Sequence, residues 1–395
     1  MNEFIAAEIQ GPYGPLTIPE QVLQQIWHEQ NYVDEGLRTA SGETLEVEFP
    51  GVWNHQEGPD FLNARMKLNE KPLLGDVEIH FYDRDWVNHG HNQDPEFNRV
   101  VLHVVLFPPK KEPILTQNGN TIETLVFLPL LETDLEQYLL DYRLTRLERT
   151  GEMPLVDMLA PLGPDEFLHH FEDAAKQRWD AKVEAHTHRL AECDWEEACH
   201  QVLLESLGGK RNRAVFAKIA LNHPIEAWVK GRVTAEGLFA EGKGEWRLAG
   251  LRPAAHPRSR FQQYLNLIQQ QPEWPRNLLD WDLLKVVKKF APEETSGFRR
   301  KQGLTNRLRQ LKSELFQDTL SESMISTLAA DMFLPMLASR KALNLFPYWY
   351  HWFPGNFPQP LAKFLRDQLA ERGIKVPLSN GLQQGLLKMI NELRR

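Results

Sequence analysis

The spacing of apolar positions changes once along the chain, near residue 130. Before that point, after a helical start over 19–37, apolar residues fall in short runs: "TLEVEF" (44–49), "DFLNARMKL" (60–68), "LLGDVEIHF" (73–81), "RVVLHVVLF" (99–107) and "TLVFLPL" (124–130). Turn formers such as "SGE", "NEKP", "FPPKKEP" and "QNGN" separate them, so each run predicts a strand. Val100–Phe107 is nearly all apolar, the pattern of a strand covered on both faces. From "ETDLEQYLLDYRLTRLER" (132–149) onward, apolar residues recur every three to four positions. That period predicts helices over 164–190, 194–207, 211–221, 258–271, 276–289, 304–316, 320–338, 360–372 and 380–394. The expected fold class is α+β: a mixed α/β domain over 1–131 and an all-helical domain over 132–395.

Composition narrows the class. A chain of 395 residues exceeds the usual single-domain size, which also leads to an expectation of two domains. With 42% hydrophobic and 25% charged residues, it has the makings of a packed core and not of a disordered chain. No apolar run approaches the roughly 20 residues of a membrane span, and "MNEFIAAEIQ" carries acids where a signal peptide carries positive charge. Cys193 and Cys199, the two cysteines, sit six apart in a predicted helix, on poorly matched faces, so neither a disulfide nor a metal pair is expected. A reduced, cytoplasmic protein with no membrane partner is the expectation. The net charge of −9 conceals an asymmetry: residues 1–150 balance to −14 and residues 151–395 to +5. An acidic catalytic domain beside an anion-holding one fits this, as do two domains that simply attract each other.

The candidate chemistry is concentrated in "GDVEIHFYDRDWVNHGH" (75–91). Strand alternation puts Glu78 and His80 on one face, with Val77 and Ile79 on the other. "GPDF" places Asp60 at the start of the preceding strand; if the two strands pair as a hairpin, Asp60 and Glu78 come together. Two such carboxylates suit Mg²⁺ or Mn²⁺, with Zn²⁺ the weaker expectation, and His80 would position or deprotonate the attacking water. Five of the fourteen histidines, His55, His80, His89, His91 and His103, lie within 49 residues. His89 and His91, with Asp94 after them, offer two imidazoles and a carboxylate to a metal. His103, inside "VVLHVV", reads better as a hydrogen-bonded core histidine.

The motif Pro59-Asp60…Glu78-Ile79-His80, with its order of elements, resembles the PD-(D/E)xK nuclease superfamily. In that superfamily an Asp begins the second strand of an α-β-β-β-α-β core and E-x-K lies on the third. His80 stands where the superfamily usually has lysine, and Lys67 is a possible stand-in. The resemblance implies metal-dependent hydrolysis of phosphodiester bonds in DNA or RNA. More widely, "GPDFLNAR", "GDVEIH", "DWVNHGH" and "VLHVV", with "ESLGGKRNRAVFAKIA" and "GLRPAAHPRSRF" further on, resemble the bacterial domain-of-unknown-function family 2851, which implies the two-part layout but no activity.

In the helical half, Arg252, Arg258 and Arg260, then Arg299, Arg300 and Lys301, and also Arg307, Arg309, Lys312, Lys210, Arg211 and Arg213, form basic clusters that suit phosphates, a solvated helix face or the acidic half. Nucleic acid is thus a possible partner. The aromatic run "FPYWYHWFPGNF" (346–357) reads as a buried plug before a base-stacking platform. Two alternatives stand beside the nuclease: a His/Asp metallohydrolase of a small substrate, and a non-catalytic binding scaffold on a degenerate nuclease fold. Oligomeric state is not legible.

Overall fold

The computed structural model describes residues 6–11, 14–110, 113–150, 155–248, 251–281, 290–355 and 357–392. The chain is α+β and divides into two compact units, one holding 16–142 and the other 143–393.

The first unit is built on a mixed sheet. A separate two-stranded ribbon, β1 (Ala6–Gly11) and β2 (Gly14–Pro19), leads into α1 (Glu20–His28). The main sheet comprises β3 (Leu45–Phe49), β4 (Val52–Trp53), β5 (Phe61–Leu68), β6 (Lys71–His80), β7 (Val100–Val105), β8 (Ile114–Leu115) and β9 (Thr121–Val126), in the order β3-β5-β6-β7-β9-β8, with β4 also pairing β5. From β3 through β6 the pairing is antiparallel, whereas β6, β7 and β9 run parallel. The parallel step from β6 to β7 is made by residues 81–99, which hold the short α2 (Asp85–Asn88) and two 3-10 turns, His91–Gln93 and Pro95–Arg99. Val77, Ile79, Leu102, Val104 and Leu125 share one face of the sheet and pack in a core with Val22, Leu23, Ile26 and Trp27 of α1. The helix is shorter than the expected 19–37: Gln30 takes a positive φ of 50°, and Tyr32 folds back to stack on Trp27 at 5.8 Å.

The second unit is helical: α3 (Leu135–Thr150) leads into it, followed by α4 (Leu155–Leu159), α5 (Pro164–Glu192), α6 (Trp195–Asn222), α7 (Ile225–Val229), α8 (Ala235–Glu241), α9 (Pro257–Gln270) and α10 (Trp274–Leu279). Then come α11 (Thr295–Lys301), α12 (Leu304–Gln310), α13 (Glu322–Leu328), α14 (Leu334–Lys341), α15 (Phe346–His351), α16 (Gln359–Glu371) and α17 (Asn380–Glu392). The two helices expected over 194–207 and 211–221 are both present: α6 is two helical stretches joined at a kink where Gly209 adopts φ 63° and ψ −158°, with Asp194 as the N-cap. Two expected helices are interrupted by π-helical turns at Leu311–Leu315 and Ala329–Phe333. Of the helix expected over 276–289, residues 282–289 lie outside the described residues. Phe346, Tyr348, Trp349, Tyr350 and Trp352 of the aromatic run are buried in the core, so they offer no stacking platform. Both cysteines are free.

Candidate metal centre

The site forms where β5 and β6 meet the crossover. A bulge at Asn63 (φ 57°) shifts the β5–β6 register; its amide is taken by Asp76 Oδ1 at 2.9 Å. Beyond that bulge Phe61 pairs with Val77 and enters the core, which leaves Asp60 at the end of β5 beside Glu78. The two are joined directly. The Asp60 amide donates to Glu78 Oε2 (3.0 Å), and Asp60 Oδ2 accepts from the Ile79 amide (3.0 Å). Asp60 Oδ1 accepts from Gln24 Nε2 on α1 at 2.7 Å.

Three imidazoles come together on the other side of Glu78. His80 follows Glu78 on the same face of β6. The crossover folds back because Trp86 is buried with Phe97, Val100 and Ile122, its indole N–H donating to the Leu115 carbonyl at 3.0 Å. Gly90, between His89 and His91, adopts φ 79°, a left-handed turn that glycine takes without a Cβ penalty. As a result one ligand nitrogen each from His80, His89 and His91 lie within 4.8 Å of one another. His80 Nε2 stands 3.0 Å from His89 Nδ1 and 3.4 Å from Glu78 Oε1, and His91 Nε2 stands 3.2 Å from the same oxygen. Donors about 2.0–2.1 Å from a tetrahedral zinc-like ion are separated by about 3.3 Å. Three of the donor spacings, 3.0, 3.4 and 3.2 Å, lie close to that separation.

Electrostatics agree with the geometry. Burial pushes the Glu78 carboxyl up to about 8, and burial with the neighbouring Glu78 charge also raises Asp60 well above the usual carboxylate range. Burial, then the neighbouring imidazoles, hold His80 well below its ordinary value; burial lowers His89 too, and lowers His91 to about 4. Neutral imidazoles beside a carboxylate in need of positive charge are a donor set ready for a cation. His103, facing Glu78 across β6 and β7, is fully buried; its Nε2 lies 2.8 Å from His80 Nδ1, so it orients that ring.

Other candidates are elsewhere or otherwise engaged. Asp94 is outside the imidazole cluster and caps the following 3-10 turn, accepting from the Glu96 amide at 2.9 Å. Lys67 cannot replace a catalytic lysine. It lies six residues along β5 from Phe61, about 20 Å at strand rise, and pairs with Glu48 at 2.6 Å and Glu46 at 3.4 Å. His55 packs on Trp53 at 5.0 Å. Of the basic residues, Arg299 is turned inward, donating to the carbonyls of His351, Trp352 and Leu378 at 2.8–3.0 Å; this removes it from phosphate contact. Arg260 is half-buried and bonded to Gln263, whereas Arg252, Arg258, Arg300 and Lys301 are exposed. The residue that the pattern of the sequence does not single out is Glu20. It is buried at the start of α1, and its carboxyl is raised by burial and by the charges of Asp60, Glu78 and Asp85.

The chain is thus an α+β protein in which Glu78 and three imidazoles gather at the end of a mixed sheet. Residues 20–240, more than half the chain, match the family described as Protein of unknown function (DUF2851), and the chain belongs to that family. No curated protein and no solved structure matches it.

Proposed function

We propose that the protein is a metal-dependent hydrolase of phosphodiester bonds in nucleic acid, with Glu78, His80, His89 and His91 as the cation-holding set. The supporting observation is the meeting of Asp60, Glu78 and three imidazoles at one end of β5 and β6. The strand order supports it as well: an antiparallel run into β6, then parallel β7 and β9, with an acid at the start of β5 and another on β6. Imidazole donors favour Mn²⁺, Zn²⁺ or Fe²⁺ over Mg²⁺. A bound ion of this kind supplies Lewis-acid charge at the phosphoryl group and lowers the pKa of water. Asp60 holds Glu78 in place through its amide, and His103, bonded to His80 Nδ1, holds that ring with Nε2 towards the other donors. Imidazoles also favour a second reading, hydrolysis of a small substrate by the same centre.

Metal-stripped protein incubated with single- and double-stranded DNA and RNA, with Mg²⁺, Mn²⁺ or Zn²⁺ added in turn, tests the proposal. Cleavage that needs metal and falls about 10²–10⁴-fold in Glu78→Ala is expected. Cleavage unchanged in Glu78→Ala overturns the proposal. Metal binding without cleavage of any nucleic acid selects the small-substrate reading.

A further inference from the structure

Two short stacks of flat side chains are tied to the residues of the centre. In the first, Trp53 of β4 pairs with Phe61, the residue after Asp60, and the next amide, that of Asn54, donates to the Asp60 carbonyl at 2.7 Å. The Trp53 ring lies 5.6 Å from that of buried Phe61 and 5.0 Å from that of exposed His55. In the second, Tyr82 follows His80 by two residues. Its ring lies 5.0 Å from that of Phe107 at an interplanar angle of 20°, and the exposed Arg84 guanidinium covers it at 4.4 Å. Arg84 is the N-cap residue of α2, whose other end leads into His89. Each stack runs from a buried or half-buried ring out to an exposed planar group, and each is fixed through the backbone to a residue of the centre.

Charge decides what such surfaces are for. Residues 1–150 balance to −14, so general attraction for phosphates does not draw a polyanion to this unit. Stacking on a flat side chain needs no net charge and accepts any base. Imidazole rings and guanidinium planes are both groups on which splayed-out bases stack. In a duplex the base faces are already covered by their neighbours; in an unpaired strand they are free. We propose that the centre is served by a binding site for unpaired nucleic acid, in which His55 and Arg84 stack the bases that flank the phosphate at the metal. Trp53 and Tyr82 are the inner layers that hold those two planes in place. The inference deepens the preceding reading, on which it rests for the phosphate at the metal, and binding measured without metal separates the two.

Fluorescence anisotropy on the full chain, with chelator present so that no cleavage intervenes, tests it. The probes are a labelled mixed-sequence single strand, its blunt duplex, and the same strand made abasic, which keeps the phosphates and removes the bases. The single strand is expected to bind about tenfold tighter, or more, than either of the others. Raising the salt from about 50 mM to about 200 mM is expected to weaken it less than about tenfold, where binding through many phosphates loses about 10³-fold or more. His55→Ala is expected to weaken single-strand binding about tenfold, and Arg84→Lys, which keeps the charge and removes the plane, by a similar factor. His55→Phe, which keeps a ring, is expected to bind as the wild type does. A duplex or an abasic strand bound as tightly as the single strand, no binding of the single strand, or wild-type binding by both His55→Ala and Arg84→Lys overturns the inference. Single-strand binding with these properties, but without cleavage when metal is restored, upholds the site and removes the hydrolase reading instead.

Discussion

A glutamate inside a strand between valine and isoleucine must either keep its proton or meet a cation, and Glu78 sits where three neutral imidazoles leave room for the second. Its neighbours decide how well it does so. His103 gives His80 its orientation through one contact of 2.8 Å, while its own Nδ1 has no partner among the described residues. Replacing it by phenylalanine keeps the ring and removes the contact, and the affinity for Zn²⁺ is expected to fall about 10–100-fold; isothermal titration measures this, and unchanged affinity would make His103 packing alone. In the helical unit, burial holds His186 down to about 4 and His200 to about 3, from an ordinary value of 6.5. Below about 6.5 the unfolded chain takes protons that these folded imidazoles refuse, so their stabilisation is complete above that value and is lost as pH falls towards the folded values. Denaturant midpoints are expected to drop between about pH 7 and about pH 5, with each histidine contributing up to about 1.4 kcal/mol per unit; a flat profile contradicts these burials. Glu78, His80, His89 and His91 were legible because their residue types are costly in the pattern they occupy. Glu20 was not, because an acid after proline at a helix start looks like ordinary first-turn charge.

At the scale of elements, the site depends on two glycines with different jobs. A Cβ on Gly75 would stand 2.5 Å from the Arg99 carbonyl oxygen and 2.5 Å from Val101 Cγ1, so β6 and β7 approach only because it is absent. Gly75→Ala is expected to cost about 1–3 kcal/mol and to weaken metal binding by shifting the strand that carries Glu78. Gly90 has open space around it and needs only its positive φ. Gly90→Asn is expected to keep the metal, whereas Gly90→Val is expected to lose it, because a β-branched residue resists the left-handed turn; metal content of the two variants distinguishes them. The strands that hold the core were readable from their alternation, within a few residues. Two-residue β4 and β8 were not, since a pair of residues shows no period. Neither were the π-helical turns, which keep the helical spacing of apolar residues while changing the backbone.

At the scale of the molecule, each unit has its own hydrophobic core, that of the first around α1 and the sheet, that of the second around its helices. Buried Arg178 and Lys182 in the second are satisfied there, by Gln384 at 2.8 Å and Asp331 at 2.9 Å. Metal added to the stripped protein is therefore expected to slow amide hydrogen exchange over β6, β7 and residues 81–99, and to leave α5 and α17 unchanged. Equal protection throughout would contradict independent cores. The basic clusters show what charge counting in a sequence leaves out: Arg299 belongs to a cluster by spacing, yet its guanidinium is used on three backbone carbonyls. The central claim, a cation held by Glu78 and the imidazoles, is tested most directly by elemental analysis of chelator-stripped protein reloaded with Zn²⁺ and dialysed, beside His89→Ala/His91→Ala. Retention of one zinc at these donors by the wild type and its loss in the variant is the predicted result; no retained zinc, or equal retention by both, contradicts the account.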